Sequence, residues 1–118
     1  MQVNQAIIAF CQSDKLKSGI IWASQIIEMY IGLSESEKPG AERVLKTLIN
    51  MIATEIHVAM KAAPHKAWGE VEKNINTALV MLNSGVTHEA GYHLTQALTQ
   101  VTTIGQQSMS LLTDEGLL

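Results

Sequence analysis

Between Glu89 and Asp114 the chain carries no Asp, Glu, Lys or Arg. Within that stretch Ala90, Leu94, Ala97, Val101, Ile104, Ser108 and Leu111 follow one another at alternating fours and threes. A helix has 3.6 residues per turn, so this spacing keeps a single face apolar and predicts a long amphipathic helix. Leu98 and Leu112 widen the stripe. The opposite face reads Thr95, Gln96, Thr99, Gln100, Thr102, Thr103, Gln106, Gln107 and Ser110. Solvated helix faces usually carry Glu and Lys in i,i+4 pairs.

Two readings of that face stand open. One is a solvated polar surface that lacks charge. The other is a face covered by another chain or by the first helix, since neutral polar groups cost less to desolvate than charges. On the second reading Thr95, Thr99, Thr102, Gly105 and Gln106 are the candidate interface residues. Gly91 and Gly105 lie two heptads apart and point the same way, which fits close approach by a neighbouring helix.

Three more helical stretches precede it. Ala41 to Ala63 carries Leu45, Leu48, Ile52, Ile56 and Ala59, with Val44, Ile49 and Met60 beside them. Pro64 ends that run. A third stripe runs Trp68, Val71, Ile75, Ala78, Leu82 and stops at Asn83-Ser84-Gly85, glycine being the usual residue after a helix C-terminus. Thr87 is the expected cap of the last helix, with Val86 as its hydrophobic staple. Gly32 to Gly40 reads as a polar loop.

The N-terminal segment is less regular. Val3, Ala6, Ile7, Phe10 and Cys11 form one stripe, and Ile20, Ala23, Ile27 and Tyr30 form a second, one residue out of phase. Either one helix has a stutter or a short helix precedes a longer one, with the break near residues 13–19 and Ser13 or Asp14 as its cap. Trp22, Met29 and Ile8 fall off both stripes, so this segment is apolar on more than one side, as in a helix that shares an oligomer face.

Four helices with short links predict an all-α fold, an antiparallel up-and-down four-helix bundle in which residues 1–118 form one domain. With 47% hydrophobic but only 4% aromatic residues, aliphatic side chains must fill the core. The net charge of −3 argues against a nucleic-acid partner. No span of about 20 apolar residues argues for a membrane, and no basic leader precedes the first helix. A cytoplasmic protein is the default expectation.

The chemistry is sparse. His88, Glu89 and His93 are the candidate metal or ligand residues, yet His88 and His93 stand about 140° apart round a helix. The string between them is one residue too long for a zincin motif. His57 and His65 are expected at the opposite end of the bundle. Lys61, His65 and Lys66 cluster near a helix N-terminus where an anion can bind. Cys11, the single cysteine, reads as a core residue. No cofactor motif and no catalytic residue set emerges. These features favour a non-enzymatic interaction or structural module that self-associates. The alternatives are a small chaperone or adaptor for a protein client, and a ligand- or metal-binding bundle using histidines.

Overall fold

Each periodic stretch is one unbroken helix in the computed structural model, which describes residues 1–118. The helices are α1 (Val3–Ile31), α2 (Lys38–Ala62), α3 (Ala67–Asn83) and α4 (Thr87–Asp114). They form an antiparallel ring. α1 packs on α2 and α4, α3 packs on α2 and α4, and the diagonal pairs do not approach. Cross-links between neighbours set the register. Lys15 reaches Glu55 at 3.1 Å, His57 reaches Glu72, and Asn74 reaches His93 and Gln100.

Of the two readings of residues 13–19 the continuous helix holds: α1 runs through them without a break. Its buried residues are Ala6, Ala9, Ser13, Leu16, Ile20, Ala23 and Ile27, an unbroken three-four alternation. The apparent slip comes from following the largest side chains. Ile7 and Cys11 are exposed, and the true inner face of the first turns is built from alanine and serine. Ser13 is therefore no cap. It is buried mid-helix and donates to the Phe10 carbonyl at 2.8 Å.

Small residues belong there because α4 comes close. A Cβ on Gly105 would stand 2.7 Å from Ser13 Oγ and 3.5 Å from Ser13 Cβ. On Gly91 it would meet nothing nearer than Ile27 Cγ2 at 3.9 Å. Both glycines thus face α1 of the same chain, but only Gly105 is required by the approach.

The stripe of α3 is the expected one, residue for residue, and that of α4 differs only in burying Leu112 where Leu111 was expected. In α2, Ile49 takes the buried place assigned to Leu48. α2 also starts earlier than the expected loop allowed, at Lys38. Pro39 sits in its first turn, where a missing N–H does no harm. The Thr87 cap is absent too. Val86 holds the N-cap position, without a side-chain cap, and Thr87 is already helical. The cause lies in the end of α3: Gly85 (φ 77°) lets its own N–H reach Leu82 O and the Val86 N–H reach Met81 O, a Schellman closure that leads straight into the next helix.

At the other end α1 and α4 outrun their neighbours. α2 stops at Ala62 and α3 begins only at Ala67, whereas α4 continues to Asp114. His65 in the connecting turn bonds Gln107, so the last seven residues of α4 lie beyond that turn. Ala6, Ser108 and Leu112 are buried there but stand apart from the main core cluster.

Candidate functional site

Three of the four histidines bond a neighbouring side chain, and His88 does not. His93 lies half-buried on α4 and bonds through Nδ1 to Asn74 Oδ1 at 3.0 Å. Because an amide oxygen only accepts, that nitrogen carries the proton. Asn74 in turn donates to Gln100 Oε1 at 3.0 Å and to the Glu70 carbonyl at 3.2 Å. This network ties α3 to α4 and commits His93 Nδ1 to Asn74. His88 and Glu89 are exposed, with no ion pair and no side-chain hydrogen bond between them. No three His, Cys, Asp or Glu side chains converge on one point.

His57 and His93 are not at opposite ends of the bundle, contrary to the sequence expectation. Their partners on α3, Glu72 and Asn74, are two residues apart, so the two histidines lie at similar height on opposite flanks of α3. The reason is that α3 has only 17 residues, about 25 Å of helix, so levels thought distant nearly coincide.

The proposed anion position is largely self-occupied. His65 Nδ1 accepts the Ala67 N–H at 3.0 Å, which is an amide an anion would use. Its other nitrogen then donates to Gln107 Oε1 at 2.7 Å. Trp68, fully buried, closes the same turn by donating from Nε1 to the Ala63 carbonyl at 3.1 Å. Lys61 and Lys66 are exposed and unpaired.

On α4 the five candidate interface residues divide. Gly105 is engaged by α1. Thr102 and Gln106 border a groove of about 230 Å³ between α1 and α4, beside Asp14 and Lys17. Thr95 and Thr99 face outward. The hydroxyls of Thr95, Thr99, Thr102 and Thr103 all bond carbonyls one turn back, at 2.8 to 3.1 Å. Their protons are committed to their own helix.

An open apolar surface lies elsewhere. On α2, Val44, Met51 and Val58 are 66%, 60% and 48% exposed, at intervals of seven residues. On α1, Trp22 and Met29 are 60% and 58% exposed at the same interval. Between the two helices runs a groove of about 370 Å³ whose lining includes Leu16, Gly19, Trp22, Leu48 and Met51. The Lys15–Glu55 pair bridges it, with Gln12 Nε2 also donating to Glu55 at 3.3 Å. These bonds hold the Glu55 carboxyl below the ordinary glutamate range, Lys15 contributing most. Trp22 and Met29 stood out in the sequence, but Met51 and Val58 did not. Their signal was the seven-residue interval shared with Val44, off the inner stripe of α2.

No helix is long and apolar enough to cross a membrane. Comparison with protein-family models, with curated proteins and with solved structures found no match for this chain.

Proposed function

We propose that the protein is a non-enzymatic helical module that self-associates through the outer face of α1 and α2. One observation carries this reading: Trp22, Met29, Val44, Met51 and Val58 form an uncovered apolar surface on two adjacent helices. Monomers seldom leave contiguous apolar patches of more than a few hundred Å² open. Covering such a surface returns roughly 25 cal/mol per Å² of apolar area. Along α2 no charged residue stands between Lys46 and Glu55, and the one ion pair that crosses the groove, Lys15–Glu55, is internally matched. The histidines, by contrast, are dispersed or engaged in holding helices together, which does not favour ligand or metal chemistry.

Analytical ultracentrifugation over a wide concentration range tests the reading. The wild type is expected to sediment as a dimer or larger, and Met51→Lys as a monomer with unchanged helical circular dichroism. Trp22 is the only exposed tryptophan, so association should also shift its emission to the blue. A wild type that stays monomeric throughout would exclude self-association and leave a protein client as the occupant of this face. Thr99→Lys with Gln106→Glu should leave the mass unaltered. If that pair dissolves the assembly instead, the uncharged α4 face carries it.

A further inference from the structure

We infer that His65 is a proton-sensitive cap: neutral, it closes the N-terminus of α3, and protonated, it opens that turn while the bundle around it holds. The inference is independent of how the chain associates.

A helix N-terminus leaves its first amides without partners, and an oxygen of Ser, Thr, Asp or Asn usually takes one of them. No such residue precedes α3, where the chain reads Pro64-His65-Lys66 before Ala67. His65 takes that place. Its carbonyl accepts the Trp68 N–H at 3.1 Å, and its Nδ1 accepts the Ala67 N–H at 3.0 Å. A backbone amide only donates, so Nδ1 is bare and the ring proton sits on Nε2, which donates to Gln107 Oε1 at 2.7 Å.

An imidazole can accept only while neutral. Once it gains a proton, both ring nitrogens are donors. The bond to Gln107 survives that change, because Nε2 donated already. The bond from Ala67 does not, because N–H then faces N–H.

The surroundings do not offset this loss. The new charge arises at a helix N-terminus, where the peptide dipoles disfavour a cation. On α2 the charged group of the last turn is Lys61, and Lys66 follows His65 directly. On α3 Glu70 stands in the first turn and makes no ion pair. On α4 no charged residue lies between Glu89 and Asp114, which is seven residues past Gln107, about 10 Å along the helix. α1, which reaches α4 here through Met1 and Ser108, has no charged side chain before Asp14 and brings only the Met1 amino group.

The same proton acts in the opposite sense on His57. Its Nε2 meets the Glu72 carboxylate across α2 and α3, and a bond between two charged groups is stronger than one with a neutral donor. Acid therefore tightens the pairing of α2 with α3 while it opens the cap of α3. The response is confined to the turn.

NMR of the full chain labelled with 15N tests this between about pH 8 and pH 5, the range in which histidine changes charge. At the upper end the His65 ring is expected in the Nε2–H form. As pH falls, protection of the Ala67 amide, corrected for intrinsic exchange, should drop roughly fivefold, the loss of one hydrogen bond. The Ile75 amide, within α3, should keep its protection. Gln107→Glu sets a carboxylate against Nε2, so the drop should move to higher pH. His65→Gln should abolish it. Both positions lie outside the buried core, and circular dichroism checks the fold of each variant. Constant Ala67 protection, a drop that persists in His65→Gln, or a ring protonated on Nδ1 at the upper end would overturn the cap. A drop shared equally by Ile75 would overturn its confinement to the turn, and an unmoved midpoint in Gln107→Glu would overturn the stated orientation of the ring.

Discussion

Replacing Gly105 by alanine sets two known effects against each other. Alanine gains about 1 kcal/mol over glycine inside a helix. At Gly105 the new methyl arrives 2.7 Å from Ser13 Oγ, nearer than atoms pack, so the hydroxyl must leave its 2.8 Å bond to the Phe10 carbonyl or the helices must part. Losing a buried hydroxyl's bond costs about 1–3 kcal/mol. Gly91→Ala makes the same gain against an ordinary 3.9 Å contact. Gly105→Ala should therefore be less stable than Gly91→Ala by about 1–3 kcal/mol, or roughly 4–12 °C in melting temperature for a domain of this size. The remedy is equally specific. Ser13→Ala removes the clashing oxygen and leaves a Cβ–Cβ contact of 3.5 Å, so Ser13→Ala/Gly105→Ala should recover most of the gap. Urea denaturation of the four variants closes the double-mutant cycle. If the two alanine substitutions match, and Ser13→Ala changes nothing, α1 and α4 do not approach as described.

Gly85 has φ 77°, where a Cβ costs about 1–2 kcal/mol. Gly85→Ala should lower stability by about that amount, measured by thermal melting, while Gly40→Ala, whose new methyl meets nothing within 4 Å, should not. Acid should weaken the fold through two glutamates. Hydrogen bonds from Ser34 hold the Glu37 carboxyl low, and Lys15 with Gln12 holds Glu55 low. A carboxyl whose pKa falls on folding adds stability above its unfolded pKa of about 4.3 and loses it as pH drops through the lower folded value. Chemical denaturation between about pH 5 and pH 3 should show this loss, smaller in Glu55→Gln. An unchanged acid limb in that variant would remove Glu55 from the account.

The ease of reading each helix followed the size of its inner residues. α3 buries Trp68, Val71, Ile75, Ala78 and Leu82, mostly large side chains, and its stripe was plain. α1 buries Ala6, Ala9 and Ser13 and leaves Ile7 in solvent, so hydrophobic size pointed to the wrong face and suggested a break. The information was still present: alanine, serine and glycine in matched positions on two helices mark a close seam. Recognising it needs both helices at once, which periodicity within one helix does not supply. The apolar face of α1 and α2 was half visible for a related reason. Trp22 and Met29 stood off any stripe, but Met51 and Val58 could be assigned outward only after Ile49 and Ile52 were known to point in. The position of His57 depended on how short α3 is relative to its neighbours, a quantity no single motif contains.

The overhang of α1 and α4 beyond the α2–α3 turn has a dynamic consequence. Backbone amides exchange with solvent through local openings whose free energy follows the contacts each opening breaks. Near Ile20 and Val101 an opening must disturb the main core. Near Ala6 and Leu112 it disturbs residues outside that cluster, although both are as hidden from solvent as the core itself. Burial and protection should therefore part company along these two helices. Both ought to unzip from the overhang, as a paired unit, well before the bundle loosens.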